Sequence, residues 1–383
     1  MSNIFIIAGD SSGDIYAADL IQRMKAKNDI ISFEGIAGDA ALKEGMKLWV
    51  HSKNLNFMGF WEVFKNYKIL RKTWKKITQH LNRKKPDLLV LIDYPGLNLL
   101  VAKYAKKYNI RIVYYIPPQV WFWKQGRIKK LRKYTDYIAP IYPHESSFFE
   151  NKGVPHFPVK HISLDKIFIE QLSEVSKDKK INILCMPGSR KLEIDNNFPE
   201  MLSAVINLQE RHNLKNNLEV FVIKAQTSSN LEEIIDLYKK DIKKINIIPF
   251  DQKELAFKKA HVGCISSGTA CLEVALAGIP LVVIYKANLL FKILLKYVYQ
   301  VKFKWISLPN LIAQKDIIQE IKETSFSENA ISNALSKLIF DAKHRKQSYT
   351  SLLEMRSTLE KTAKYNIDDL ITLALNKDKL QKL

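Results

Sequence analysis

Residues 3–26 read NIFIIAGDSSGDIYAADLIQRMKA: a β-branched run, then a turn of small and polar residues, then a helical pattern. The run at 3–8 predicts a buried strand, and the pattern at 14–27 predicts a helix. A strand followed directly by a helix is typical of a βαβ unit. The segment therefore predicts an α/β protein with a parallel sheet.

The same alternation continues along the chain. In the first half, further strands are predicted at 88–92, 111–116 and 137–141, with helices such as 97–108 between them. Pro140 requires the last of these strands to lie at an edge or to end there. After the polar stretch at 151–180 a second series begins. Its strands are predicted at 181–186, 218–223, 245–249, 262–266 and 280–285, and its helices at 195–212, 231–241, 253–260 and 269–277.

Two such series predict two doubly wound, Rossmann-like α/β domains that face a central cleft. We expect an N-terminal domain at 1–170 and a C-terminal domain at 171–330. The segment 331–383 has Leu and Ile at helical spacing and predicts terminal helices that pack across. A length of 383 residues agrees with two domains of about 100–200 residues each.

The composition excludes a disordered chain, since 47% of residues are hydrophobic and 26% are charged. The 60 Lys and Arg against 39 Asp and Glu give a net charge of +21, which points to nucleic acid, an anionic membrane surface, acidic substrates or a lysine-rich coding bias. Three cysteines without C-x-x-C spacing favour a reducing, cytoplasmic compartment. No apolar run reaches the ~18 residues that span a bilayer, and the first residues lack the basic start of a signal peptide.

Ligands of open α/β sheets bind at the carboxyl ends of strands, so the loops there are the candidate sites. In the first loop, small residues and a helix N-terminus suit ligand binding, although the loop also fits a simple helix N-cap. Asp93 follows a buried strand and suits either a general base toward a hydroxyl or an N-cap. Trp121 and Arg127 suit a platform and cationic rim for a sugar or an anionic lipid headgroup, or else core packing and an ordinary basic helix. The residues of the first loop are Asp10, Ser11, Ser12 and Gly13.

Two loops of the second half suit a nucleotide. Gly188, Ser189 and Arg190 combine a glycine turn, a hydroxyl and a guanidinium, which suits a diphosphate. The strand, turn and helix around Ser266, Ser267, Gly268 and Thr269 predict an anion site. Glu273, one turn into that helix, suits ribose hydroxyls or a surface ion pair, and the backbone around Phe250 suits a nucleobase edge. Phosphate-loop, zinc-protease and nucleophile-elbow motifs are absent, and we expect no metal and no cofactor.

Residues 60–81 predict a basic amphipathic helix. Its stripe includes Phe60, Phe64, Tyr67 and Trp74, with Trp61 alongside, and the segment 60–85 carries nine Lys or Arg against Glu62 alone. Such a helix suits an anionic membrane surface, whereas apolar stripes in general pack more often into a core.

Taken in order, the motifs of residues 3–321 resemble the lipid-A-disaccharide synthase family, glycosyltransferases of family 19 with the GT-B fold. The matching segments are AGDSSGD at 8–14, GIAGDAALKEGM at 35–46, NFMGFWEVF at 56–64, PDLLVLIDYPGLN at 86–98, PPQVWFWKQGRIKK at 117–130, PGSRKLEI at 187–194, SSGTACLEVALAGIPLVVIYK at 266–286 and LPNLIA at 308–313.

The resemblance implies transfer of the sugar of UDP-2,3-diacylglucosamine to 2,3-diacylglucosamine 1-phosphate (lipid X), with inversion. The products are lipid A disaccharide 1-phosphate and UDP. It implies that Asp93 is the base and that Arg190 stabilises the leaving UDP, assisted by the loops at 188–190 and 266–269. Asn310 and Glu320 are then expected at the UDP-sugar, and Asn98 and His161 at the acceptor.

Because both implied substrates carry acyl chains, the membrane role of the basic helix is favoured. The expected location is the cytoplasmic face of the inner membrane, and the family precedent adds a homodimer that exchanges C-terminal segments. Departures from the family pattern occur at Asp10, Gly96, Gln319 and on both sides of His161, at Lys160 and Ile162. They leave open an altered acceptor. Another GT-B enzyme of UDP-sugars, a transferase or an epimerase, is the alternative, and no module for nucleic acid supports a role there.

Overall fold

The structure is a computed structural model that describes residues 2–27, 30–55, 67–121, 126–172, 174–176, 180–214, 216–224, 230–286, 304–322 and 325–376. It contains two compact units. Unit 1 comprises Met1–Ile162 and Lys361–Leu383, and unit 2 comprises Ser163–Glu360. Residues 163–170 and 331–360 thus belong to unit 2, where the sequence pattern placed the division at 170 and treated 331–383 as a separate set of helices.

Unit 1 is built on a parallel sheet with the strand order β3-β2-β1-β4-β5-β6. The edge position of β6 and its end before Pro140 confirm the expectation for that strand. Strands β2 and β3 lie on one side of β1, and β4 to β6 lie on the other. The order in which strands are added to the sheet therefore reverses between β1 and β4, which is the switch point where doubly wound sheets bind ligands. The described strands are β1 (Ser2–Ala8), β2 (Ile31–Ala37), β3 (Lys47–His51), β4 (Leu88–Ile92), β5 (Ile112–Tyr115) and β6 (Tyr137–Ala139).

Strands β2 and β3 were not predicted. Glu34 interrupts the apolar pattern of β2, yet it lies buried because Asn3 Nδ2 and the Trp49 indole donate to its carboxylate at 2.7 and 3.0 Å. A buried carboxylate needs such partners, and they come from the neighbouring strands rather than from the local sequence.

The helices of unit 1 cover the sheet and complete its core. Helices α3 and α5 both pack against α4. The core cluster joins strand residues such as Phe5, Leu89 and Tyr114 to Ile77 and Leu81 of α3. The described helices are α1 (Ser11–Ala26), α2 (Asp39–Lys43), α3 (Tyr67–Lys84), α4 (Pro95–Ala105), α5 (Arg127–Tyr134), α6 (Pro143–Asn151) and, after the return from unit 2, α15 (Ile367–Leu375).

Unit 2 repeats the architecture with the strand order β12-β11-β10-β7-β8-β9. All its neighbouring strands are parallel, and its switch point lies between β7 and β10. The strands are β7 (Ile181–Met186), β8 (Leu218–Lys224), β9 (Ile245–Pro249), β10 (Val262–Ser266), β11 (Leu281–Tyr285) and β12 (Gln319–Lys322). The last was not predicted, because the four residues of this edge strand carry two charges.

The helices of unit 2 are α7 (Ser163–Lys166), α8 (Lys191–Arg211), α9 (Leu231–Tyr238), α10 (Lys253–Phe257), α11 (Thr269–Leu276), α12 (Leu308–Ala313), α13 (Glu328–Phe340) and α14 (Ala342–Thr362). Helix α14 is fastened by the buried guanidinium of Arg356, which donates to the carbonyls of Ile167, Leu276 and Leu164 at 2.8 to 3.1 Å. Among the helices that the structure describes, none has the length and apolar composition needed to cross a bilayer.

Candidate functional site

The switch point of unit 1 brings two predicted loops together. The register pairs Ala8 of β1 with Ile92 of β4, so Gly9 and Asp93 leave the sheet side by side. The Tyr94 ring lies directly over Gly9, where a Cβ atom would meet Tyr94 Cγ at 2.3 Å. A side chain at position 9 would therefore displace Tyr94 and the loop that carries Asp93.

Asp93 is held in an unfavourable backbone conformation. Its φ is +43° and that of Tyr94 is +42°, a left-handed pair that non-glycine residues rarely adopt. Three hydrogen bonds hold the turn: Asn98 Nδ2 and the Tyr114 hydroxyl each donate to the Asp93 carbonyl at 2.8 Å, and the Tyr94 hydroxyl donates to the Leu55 carbonyl at 2.6 Å. Such strain, fixed by buried neighbours, is typical of functional positions.

Asn98 supports this turn from below. It is fully buried, and its Nδ2 also donates to the Ile92 carbonyl at 3.1 Å. The sequence placed Asn98 at the acceptor. The structure places it under the loop, where it positions Asp93.

The carboxyl of Asp93 is poised to take up a proton near neutral pH. Burial raises its pKa to about 6, and the negative charge of Asp10 contributes to the increase. A general base works best when its pKa lies near the working pH. The electrostatics therefore suit the predicted role of Asp93 as a base.

The first loop divides into capping and exposed residues. Asp10 accepts from Gly13 N at 2.7 Å and caps α1, so the N-cap function is present while Asp10 also faces Asp93 electrostatically. Ser11 and Ser12 are exposed, whereas Gly13 is buried.

The loop after β5 and the start of α6 form an aromatic and acidic cluster. The Trp121 indole packs edge-on against His144 with the ring centres 4.7 Å apart. Glu145 is buried, which raises its pKa to about 8, and the charge of Asp93 adds to that rise. Arg127, the first residue of α5, lies close enough to lower the pKa of Tyr114. Trp121 and Arg127 thus lie near Asp93 and its supports.

His161 occupies a buried aromatic setting in unit 1. Its Nε2 lies 2.9 Å from the Tyr16 hydroxyl in a hydrogen bond, and Tyr142 packs on its ring. Burial lowers the pKa of His161 to about 4, so the imidazole is neutral at neutral pH. A neutral, buried ring is a poor partner for an acceptor phosphate.

The switch point of unit 2 joins the other two predicted loops. The register pairs Met186 of β7 with Ile265 of β10, so the turns that follow lie next to each other. The Ser266 hydroxyl donates to the Pro187 carbonyl at 2.7 Å and accepts from Asn197 Nδ2 at 2.9 Å. Ser266 is buried in this contact, while Gly268 and Thr269 at the start of α11 are exposed. Ser266 therefore fastens the two loops, and the exposed residues remain available to a ligand.

The loop after β7 presents hydrogen-bond donors at the N-terminus of α8. Gly188 has a φ of +119°, and the amides of Ser189 and Arg190 converge on the carboxylate of Glu193 at 3.2 and 3.4 Å. Arg190 also donates from its guanidinium to Glu193 Oε1 at 2.9 Å. These are the kinds of group that bind phosphates.

Lys253 links the two residues predicted at the nucleoside. Its ammonium group lies 2.7 Å from Glu273 Oε2 and 4.4 Å from the centre of the Phe250 ring. The structure therefore brings Phe250 and Glu273 together, in an ion pair that is only partly exposed.

Asn310 and Glu320 lie inside unit 2 as structural supports. Asn310 donates to Glu320 and to the Ile318 carbonyl, both at 2.9 Å, and its Oδ1 accepts two backbone amides. Glu320 accepts from the backbone and hydroxyl of Ser307 at 2.9 and 2.7 Å. Asn310 is fully buried, and both its amide oxygen and its amide nitrogen are hydrogen-bonded. The loop at 266–269 is joined to this network because Ser267 Oγ donates to the Ile306 carbonyl at 2.9 Å. Both residues therefore lie behind that loop.

The predicted membrane residues are mostly beyond the described part of the chain. Phe60, Trp61 and Phe64 lie outside it, and of Tyr67 only the backbone at the start of α3 is described. Trp74 is half-buried and packs edge-on against Tyr104 with ring centres 5.7 Å apart, and Ile77 and Leu81 lie in the core. In the described part of α3, the apolar stripe faces the core of unit 1.

Sequence reasoning missed Glu145, His144 and Lys253. Glu145 follows β6 by a few residues, so a carboxylate just beyond a strand end was the available signal. Glu193 was visible in the motif PGSRKLEI, but its contact with the amides of the same turn was not evident from spacing alone.

The chain matches known proteins over nearly its whole length. A model of the family described as lipid-A-disaccharide synthetase matches residues 4–374. The lipid-A-disaccharide synthase of Trichlorobacter lovleyi is 32% identical over 362 residues, which cover 93% of each chain. Lipid-A-disaccharide synthase 1 of Legionella pneumophila (strain Paris) is 32% identical over 383 residues and 98% of each chain.

Solved structures with low sequence identity share the fold. The S. aureus MnaA–UDP structure matches with a TM-score of 0.62 at 13% identity and covers 92% of this chain and 91% of that one. Acinetobacter baumannii MurG matches with a TM-score of 0.54 at 13% identity, over 97% and 99% of the two chains. The two parallel sheets and these likenesses give a GT-B fold, and the family match over nearly the whole chain shows that the chain belongs to the lipid-A-disaccharide synthase family, glycosyltransferases of lipid A biosynthesis.

Proposed function

We propose that this glycosyltransferase moves the sugar of UDP-2,3-diacylglucosamine to lipid X in one inverting displacement. Asp93 takes the proton of the acceptor 6-hydroxyl as its oxygen attacks C1 of the donor. The bond from C1 to the UDP oxygen breaks, and UDP leaves with the electron pair. The products are the β-1′,6-linked disaccharide 1-phosphate and UDP.

One observation carries the role of Asp93. This carboxyl is held at a strand end in a strained turn by Asn98 and Tyr114, and burial with the nearby Asp10 raises its pKa to about 6. A carboxylate in water would be a much weaker base toward a hydroxyl. A general base of this kind contributes about 10²–10⁴ in rate.

The hydrogen-bond donors that we propose for UDP lie in unit 2. Ser189 and Arg190 supply amides and a guanidinium for the diphosphate, where charge builds up as UDP leaves. The exposed start of α11 at Gly268 and Thr269 adds free amides. Phe250, Lys253 and Glu273 form the proposed nucleoside end.

We further propose that unit 1 docks on an anionic membrane at the cytoplasmic face. The outer face of α3 is exposed and carries no acidic residue, and α5 adds four exposed basic residues on the same helical layer. These residues are Lys68, Arg71, Lys72, Lys75, Lys76, Arg83 and Lys84 on α3, and Lys129, Lys130, Arg132 and Lys133 on α5. Each basic residue near such a surface contributes about 1 kcal/mol. The three cysteines are free and buried, which supports a reducing compartment.

Vesicle sedimentation tests the docking. We expect the protein to pellet with vesicles of anionic phospholipid at low salt and to stay in the supernatant at 0.5 M salt or with neutral vesicles, since screening weakens surface charges. Equal binding to neutral vesicles would refute electrostatic docking on the membrane. Preferential binding to duplex or single-stranded nucleic acid would indicate nucleic acid, rather than a membrane, as the partner of the basic surface.

The chemistry is tested by turnover of the two acylated substrates with the wild type and two matched variants. Asp93→Asn removes the proposed base and keeps the size of the side chain, and Asp87→Asn makes the same change at the other end of β4, where Asp87 is exposed and accepts from Asn3 N at 2.8 Å. We expect D93N to lose at least about 10²-fold in turnover while it still binds UDP, and D87N to keep wild-type turnover.

Wild-type turnover in D93N would remove Asp93 from the base role. A wild-type protein that releases UDP from unacylated UDP-N-acetylglucosamine but not from the acylated donor would favour another UDP-sugar enzyme.

A further inference from the structure

The loop after β7 offers hydrogen-bond donors for a phosphate, and a side chain of α8 already occupies these donors. Glu193 Oε2 lies 3.2 Å from Ser189 N and 3.4 Å from Arg190 N, and its Oε1 lies 2.9 Å from the Arg190 guanidinium. One carboxylate thus engages three donors, two from the backbone and one from a cation.

The fit around this carboxylate is close. A Cβ atom at Gly188 would lie 2.7 Å from Glu193 Oε2 and 2.8 Å from Glu193 Cβ, and the φ of +119° at Gly188 also requires glycine. Glu193 and Arg190 nevertheless remain open to solvent, with side-chain exposures of 37% and 59%. A ligand can therefore reach the donors that the carboxylate occupies.

A second observation at the same loop points to a ligand. Asn197 is 95% buried between the two switch-point loops, where its Nδ2 donates to Ser266 Oγ at 2.9 Å and to the Pro187 carbonyl at 3.4 Å. Within the described part of the chain, Asn197 Oδ1 has no donor. Buried acceptors are nearly always paired, so this oxygen points to a donor that the described residues do not supply, such as a hydroxyl of a sugar nucleotide.

We propose that Glu193 is an internal competitor of the donor nucleotide, whose diphosphate must displace the carboxylate from Ser189 and Arg190 before it binds. Phosphate oxygens seek the same amides and guanidinium as the carboxylate. Two anions do not share one set of donors, because their charges repel at contact distance. Glu193 then sets the affinity for UDP, and its return after transfer favours product release. This inference rests on the proposed donor site.

A purely structural role for Glu193 predicts the opposite change in UDP affinity. The contacts of Glu193 also form a capping box at the start of α8, and such a box stabilises the helix. If capping were its whole role, weakening Glu193 would loosen the phosphate loop and weaken UDP binding. If Glu193 competes, weakening it strengthens UDP binding.

Calorimetric binding of UDP and of uridine to the full-length protein separates the two roles. Glu193→Gln keeps an oxygen for the backbone amides and removes the charge, and Asp195→Asn is the matched control. Asp195 lies two residues further along α8 and pairs with Lys191 at 3.0 Å rather than with the loop. We expect E193Q to bind UDP about tenfold more tightly, the difference between a charge-assisted and a neutral hydrogen bond. Uridine affinity in E193Q and UDP affinity in D195N should stay within about twofold of wild type.

The outcomes are distinct. Tighter UDP binding by E193Q with unchanged uridine binding supports competition. Unchanged or weaker UDP binding, in a variant whose thermal unfolding shows it to be folded, overturns the inference but leaves the donor site intact if Arg190→Ala abolishes UDP binding. A wild-type protein that binds no UDP overturns the proposed donor site, and the inference with it.

Discussion

Asp93 lies at the end of β4, in a turn that Asn98 and Tyr114 hold by donating to its carbonyl. The sequence predicted Asp93 as a candidate base because it follows a buried strand. It did not reveal the two consecutive left-handed residues, which Asn98 and Tyr114 hold in place, or the raised pKa, which burial causes and the charge of Asp10 increases. Contacts within the fold, rather than local spacing, distinguish the proposed base from an ordinary N-cap.

Turnover should depend on pH through Asp93. The carboxyl has a pKa of about 6 and acts as a base only when ionised, so kcat at saturating substrates should rise as pH increases through about 6 and level off above it. Asp10→Asn removes a negative charge that raises this pKa, so the rising limb should move to lower pH. A limb that stays in place in D10N would contradict the electrostatic coupling of the two residues.

Glu145 should make stability depend on pH. Burial raises its pKa from 4.5 to about 8, so between these values the unfolded chain releases a proton that the folded chain keeps. Folding stability contributed by this group therefore falls as pH increases, by about 1.4 kcal/mol per pH unit. Glu145→Gln removes that slope.

Urea unfolding at several pH values from 5 to 8 measures the effect. As pH rises, the free energy of unfolding of E145Q should increase relative to that of the wild type. Glu150→Gln changes an exposed acid of the same helix, and the difference between its free energy of unfolding and that of the wild type should not change with pH. Parallel curves for E145Q would mean that Glu145 is ionised in the folded protein.

At the scale of elements, the buried parallel strands were predictable and the supporting polar residues were not. Five strands of unit 2, from β7 to β11, agree with their predicted bounds to within one residue, because uninterrupted β-branched runs between turns are typical of buried strands. Asn98, Asn310 and Glu320 were expected at ligands, and the structure shows them bonded to groups of neighbouring loops. A polar residue near a strand end has the same sequence signature whether it faces a ligand or a backbone carbonyl.

Helix α4 offers a test of one departure from the family pattern. Gly96 lies in its first turn, is exposed, and has nothing within 4 Å of the position of a Cβ atom. Gly96→Asp should stabilise the protein by about 0.5–1 kcal/mol, because aspartate has a better helix propensity than glycine and suits the positive end of the helix dipole. Chemical denaturation measures this, with Gly96→Ala as the control for propensity alone. A destabilised G96D would show that the added charge is repelled at this site.

At the scale of the whole molecule, two doubly wound units each place their candidate residues at a switch point. Sequence alternation predicted this architecture, and the family match gives the reaction class. The division at Ile162 and Lys361 was less predictable, because the polar stretch at 151–180 marks a linker only broadly and the helical pattern near the end of the chain does not reveal which unit each helix joins. The net charge of +21 becomes partly interpretable, as basic residues cover the outer faces of α3 and α5.

Measuring both products of one reaction tests the proposed transfer. Purified protein is incubated with UDP-2,3-diacylglucosamine and lipid X, UDP is quantified, and the new glycosidic linkage is assigned by NMR. We expect one UDP for each disaccharide and a β-1′,6 linkage, with both products lost in D93N. An α linkage, UDP released without disaccharide, or equal yields from D93N would contradict it.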